Sequence, residues 1–74
     1  MLTFGEKIKS LREDLNLTQT QLGEAVQMTQ RKVSYIERDK YEPSLDDIVA
    51  LCNFFKISAN YLLNLPSEYR HPKR

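Results

Sequence analysis

Cysteine and histidine are almost missing from this chain, with one of each, Cys52 and His71, in 74 residues. A single cysteine excludes an internal disulfide, so packing alone has to hold the fold. One Cys and one His exclude the usual zinc ligand sets. Nor can a Ser/His/Asp or Cys/His set for nucleophilic catalysis be assembled around one histidine near the chain end. Long apolar runs are absent too. Nothing approaches the ~20 residues of a membrane span and there is no signal peptide, so a cytoplasmic protein is expected. No cofactor, metal or small-molecule ligand is expected, and the carboxylate pair Asp46-Asp47 is explained by a helix start. Strand-type alternation, internal repeats and low-complexity segments are likewise lacking. The length suffices for one small domain, with no room for a separate sensor or catalytic unit.

A strong charge of one sign is also absent. The net charge of +1 is weak for a nucleic-acid binder. Residues 67–74 hold Arg70, Lys73 and Arg74 against Glu68, which leaves eight basic and nine acidic residues in the body. Four of those eight bases, Arg31, Lys32, Arg38 and Lys40, fall within ten positions of one another. Clustering on one element counts for more than the total.

What the sequence does contain is a series of helix starts. Thr3 and Glu6 have capping-box spacing, and Phe4, Ile8, Leu11 and Leu15 recur at helical spacing behind them, which predicts a first helix to about Asn16. Thr18 and Gln21 form a second capping box inside a Leu17/Leu22 staple, opening a helix to about Val26 that buries Leu22, Ala25 and Val26. Thr29 caps a third helix, with Met28 and Val33 at staple spacing and Val33 and Ile36 on its inner side. Ser44 after Pro43 caps a fourth, with Asp46 and Asp47 in the first turn where the helix dipole favours acids. Leu45, Ile48, Val49, Cys52 and Phe55 share one face of it at 100° per residue, and Cys52 reads as a small buried thiol. Ser58 caps a short fifth helix, with Ile57 and Leu62 at staple spacing, that Pro66 ends. The organisation predicted is all-α: one compact five-helix domain over residues 1–66 and a basic tail over 67–74.

Helices two and three, joined by a tight turn through Thr18 to Asp39, have the shape of a helix-turn-helix, whose second helix enters the DNA major groove. With Val33 and Ile36 inside, Arg31, Ser34, Tyr35 and Arg38 point away from the core and Gln30 and Lys32 flank them. The first turn of such a helix reads bases. Gln30 can pair with adenine and Arg31 with guanine. Tyr35, one turn on, and Ser34 complete the candidate base contacts. Lys32, Arg38 and Lys40 are placed for phosphates, which fix register without reading sequence. Gln19 opens the second helix, where free N–H groups suit a phosphate. Tyr41, in the loop before Pro43, is assigned to loop packing.

These pieces, namely Thr18-Gln19 with Leu22, Val33, Ile36-Glu37, Pro43-Ser44-Leu45 and Ser58 with Leu62-Leu63, resemble the phage-repressor/Cro-like (XRE-type) helix-turn-helix family. The resemblance runs from about Phe4 to Leu63. It implies a lambda-repressor-like fold and a transcriptional regulator, with repression expected, that binds double-stranded DNA as a homodimer. It also implies a partly buried ion pair between Arg12 and Glu37, which both lie beside apolar stripes. Two-fold dimers read half-sites about one helical turn, ~34 Å, apart, so an inverted-repeat operator is expected. Phe54, Tyr61 and Leu65, at one end of the domain, are the candidate dimer contacts. Three positions depart from the family pattern: Gly23 where Ala is favoured, Gln27 in place of the turn glycine, and Asp39 in place of the glycine after helix 3. Gln27 is expected to adopt a positive φ.

Two other readings fit the same residues. Near-neutral charge is compatible with a protein-interaction module such as an antitoxin. The chain could equally be the N-terminal DNA-binding part of a longer regulator, with the tail as a linker.

Overall fold

A computed structural model describes residues 2–63. The described residues form α1 (Phe4–Asp14), α2 (Gln19–Val26), α3 (Gln30–Glu37), α4 (Leu45–Phe55) and the short α5 (Ala59–Leu62). Each start is fixed by its own side chain. The hydroxyls of Thr3, Thr18, Thr29, Ser44 and Ser58 all accept a hydrogen bond from the backbone N–H three residues on. Glu6, Gln21 and Asp47 return the bond to the cap residue's own N–H and close full capping boxes. Local chemistry therefore sets where the helices begin.

The helix ends are unusual in composition. Asn16, Gln27, Asp39 and Lys56 all have φ near +60°. Each follows or closes a helix in the left-handed conformation that glycine usually supplies. Gln27, with φ 61°, thus has the positive φ expected of it. The two glycines serve close approach instead. A Cβ on Gly5 would fall against the carbonyl oxygens of Ile36 and Glu37, the latter at 2.6 Å, and a Cβ on Gly23 would fall against the carbonyl oxygen of Met28. Gly23 is required because α2 and the turn into α3 touch backbone to backbone there.

The centre of the domain is Ile8, Leu22, Val33, Ile36, Leu51 and Leu62, with Phe4, Leu11, Val26, Met28, Cys52, Phe54, Phe55 and Ile57 packed around them. α3 lies against both α1 and α2, α4 against α2 and α5, and α5 closes on α1. Asp39 adds a long-range tie. It accepts from Thr3 Oγ1 at 2.6 Å and from the Gly5 N–H at 2.9 Å, so the turn after α3 also caps the start of α1. This is the reason an aspartate fits where a glycine was expected.

Two packing expectations are corrected. Leu45 and Val49 are not on the inner face of α4: they are 75% and 48% exposed. The inner face centres on Leu51, with Ile48 and Phe55 beside it and Asp47 turned inward by its partners. Ala25 is exposed, and Gly23 takes its place on the inner side of α2. Phe54 is half-buried and packs edge-to-face on Phe55 with ring centres 5.1 Å apart. Residues 64–74, and with them Leu65 and the basic tail, lie outside the described residues.

Candidate nucleic-acid interface

α3 is held from behind by Val33, Ile36 and Glu37, all buried. Gln30, Arg31, Tyr35 and Arg38 are on its exposed side, and Ser34 is half-buried between them. The helix is therefore fixed against the core and presents a polar side.

The fixing runs through a chain of hydrogen bonds. Arg12 Nε donates to Glu37 Oε2 at 2.6 Å and Arg12 Nη2 to Oε1 at 3.1 Å. The third arm of the guanidinium, Nη1, donates to the Leu17 carbonyl at 2.7 Å. The pair is largely shielded from water, with side-chain exposures of 11% and 2%. The hydrogen bond to Glu37 lifts the Arg12 guanidinium above its ordinary value, against the effect of burial. Gln19 then reaches into the same site, Nε2 donating to Glu37 Oε1 at 3.0 Å. Its own Oε1 accepts from Gln30 Nε2 at 2.6 Å. An ion pair in the interior thus ends, two side chains later, at the first residue of α3.

The remaining predicted residues divide. Arg38 folds back on its own helix, Nε donating to the Ser34 carbonyl at 3.4 Å and its guanidinium carbon 5.2 Å from the centre of the Tyr35 ring. The stacked pair forms a shelf one turn from Arg31. Lys40 is exposed in the following turn, its N–H held by the Tyr35 carbonyl at 2.8 Å. Tyr61 is 48% exposed, with the buried Lys7 ammonium 4.5 Å from its ring centre and hydrogen-bonded to its carbonyl at 2.5 Å.

Lys32, expected to contact a phosphate, has an acidic neighbour within the domain. Its ammonium lies 2.9 Å from Asp47 Oδ1 and 5.2 Å from the centre of the Tyr41 ring, so it ties α3 to the start of α4. From sequence Asp47 is a helix-start acid only, and Lys7 has no assigned role. The signal missed in both cases is non-local: nothing in the spacing of residues 32 and 47, or of 7 and 61, announces a contact.

A compact helical domain with an anchored, polar-faced third helix after a tight turn defines a helix-turn-helix domain. The chain belongs to the helix-turn-helix family, whose model matches residues 8–62. It is 34% identical over 62 residues to the immunity repressor protein of Bacillus phage phi105, covering 84% of this chain and 43% of that protein. It is 29% identical over 62 residues to the HTH-type transcriptional regulator ImmR of Bacillus subtilis (strain 168), covering 84% of this chain and 49% of that one. Among solved structures it is similar to the c2 repressor protein of Salmonella phage P22 in complex with synthetic operator 9T, with a TM-score of 0.80, 32% identity and coverage of 85% of this chain and 96% of that chain. The chain spans less than half the length of the two curated relatives just named. Among the described residues no helix is long and apolar enough to cross a membrane.

Proposed function

We propose that this chain represses transcription by binding an inverted-repeat operator as a homodimer, with the first turn of α3 reading bases in the major groove. The observation that carries the reading is the bond from Gln30 to Gln19. It uses one N–H of the Gln30 amide and leaves the other N–H and the carbonyl oxygen, the two groups that pair with the Hoogsteen edge of adenine. Gln30 is thereby aimed before DNA arrives, and less side-chain entropy is lost on binding. Arg31 is exposed beside it for a guanine, and Ser34 and the Tyr35–Arg38 shelf lie one turn on. Gln19, Arg38 and Lys40 take phosphates. Lys32 is withdrawn from that set because Asp47 holds it. Tyr61 and the half-buried Phe54 are the candidate dimer contacts among the described residues.

The phi105 and P22 proteins are named repressors, and the P22 structure contains operator DNA. Both support the reading here. The protein acts in the cytoplasm, where its DNA is, and no catalytic step is assigned to it. The test is selection of bound duplexes from a random-sequence pool. An enriched inverted repeat with half-sites roughly 10 base pairs apart is expected. Enrichment of a single half-site would refute the dimer, and no enrichment would refute sequence reading altogether.

A further inference from the structure

The ion pair between Lys32 and Asp47 has a consequence for how the chain handles DNA of the wrong sequence, an inference that rests on the DNA-binding reading above. Lys32 sits in the first turn of α3, next to Gln30 and Arg31, where a lysine is within reach of the DNA backbone. Yet its side chain is 31% exposed and its ammonium is taken by Asp47 at 2.9 Å, with the Tyr41 ring on another side. Asp47 in turn is only 10% exposed and is locked from both ends, Oδ2 accepting from the Ser44 N–H at 3.0 Å while its own N–H donates to Ser44 Oγ. The cap thus fixes the carboxylate, and Lys32 meets a counter-charge held in one place.

We propose that Asp47 withholds Lys32 from the DNA backbone, holding down affinity for DNA of arbitrary sequence so that a larger share of binding comes from the base contacts of α3. Each phosphate neutralised by a cation releases condensed counterions and contributes to affinity regardless of sequence. A chain that keeps one such cation occupied gives up that sequence-independent part and retains the sequence-dependent part. Asp47 is then a specificity-determining residue that touches no DNA.

The test measures binding to a random-sequence duplex across a salt series for the wild type, Asp47→Asn, Asp46→Asn, Lys32→Gln and the Lys32→Gln/Asp47→Asn double variant. Asparagine keeps an oxygen for the Ser44 N–H, so the capping box survives while the ion pair is lost. Asp47→Asn is expected to steepen the slope of log K against log salt by about 0.9 and to tighten binding roughly eightfold near 0.1 M salt. The gain should vanish in the double variant, and Lys32→Gln alone should leave the slope as in the wild type. Asp46→Asn removes a neighbouring exposed acid and should give a smaller gain. Equal gains from Asp46→Asn and Asp47→Asn would reduce the effect to overall charge and overturn the proposal. So would a Lys32→Gln variant whose slope falls by about 0.9, since the lysine would then already be on a phosphate; that arm holds even if Asp47→Asn does not fold. A wild type that binds no duplex at low salt would overturn the DNA-binding reading itself, and this inference with it.

Discussion

Gln30 donates a 2.6 Å hydrogen bond to Gln19, joining the first residue of α3 to the first residue of α2. Behind Gln19 stands Glu37, and behind Glu37 stands Arg12. Removing Glu37 therefore takes a partner from both Arg12 and Gln19. It leaves the Arg12 guanidinium without its counter-charge in a site where Glu37 is 2% exposed. Breaking a buried pair costs typically 3–5 kcal/mol, and Arg12 here keeps some contact with water, so Glu37→Ala should lower stability by about 3 kcal/mol. For a domain of this size that is a fall in Tm of more than about 10 °C. Thermal denaturation followed by circular dichroism checks it; a loss under about 1 kcal/mol would mean the pair is solvated.

The placement of glycine gives paired predictions of opposite sign. Lys56 holds a φ of 58°, a strain of roughly 1 kcal/mol for a residue with a Cβ. Lys56→Gly removes that strain and should raise Tm by a few degrees, the looser unfolded chain offsetting part of the gain. Gly5→Ala should do the reverse, because its Cβ would meet the Glu37 carbonyl oxygen at 2.6 Å and Asp39 Oδ1 at 2.8 Å, and neither the backbone of α3 nor the capping Asp39 can yield freely. A loss of about 1–3 kcal/mol is expected, as for overpacked cores generally. Urea denaturation of both variants measures the two signs, and a stabilised Gly5→Ala would show that α1 and α3 are farther apart than described.

Helix starts were legible in the sequence because a cap is a local event: Thr3, Thr18, Thr29, Ser44 and Ser58 bond within three residues of themselves. Apolar periodicity made Ile8, Leu22, Val33 and Ile36 legible as core, though not the exposure of Ala25. The inner face of α4 was not legible. Its apolar residues surround most of the helix, so periodicity does not choose one face, and Asp47 lies on the buried side with a partner, Lys32, fifteen residues earlier. In the candidate interface, polar exposed positions on α3 could be read from periodicity, but not that Gln19 would bridge Glu37 to Gln30, or that Arg38 would lie over Tyr35. Those contacts depend on how helices and side chains meet in three dimensions.

Asp47 also sets a response to acid. Burial alone would raise its carboxyl, but the hydrogen bonds from Lys32 and Ser44 together with the Lys32 charge outweigh burial and hold it below its ordinary value of 3.8. A carboxyl lowered by folding adds stability above its unfolded value, and that contribution is lost as pH falls through the lower folded value. Lys32, raised above its ordinary 10.5 by the same hydrogen bond, adds stability below that value and loses it as pH rises further. Between about pH 5 and pH 2 the wild type should therefore lose more Tm than Asp47→Asn, which has no such carboxyl to protonate. Parallel curves for the two proteins would mean that Asp47 titrates alike folded and unfolded.

The central claim is that the first turn of α3 reads bases, and the most direct test compares two affinities in one variant. Gln30→Ala/Arg31→Ala is measured on the duplex selected by the wild type and on a scrambled duplex of the same length. Bidentate base contacts are worth roughly 1–3 kcal/mol each, so the preference for the selected duplex should fall by at least about 2 kcal/mol, or roughly thirtyfold. Binding to the scrambled duplex should change only by the one charge lost at Arg31. A variant that keeps the full preference would contradict the account and place sequence recognition on some other surface of the domain.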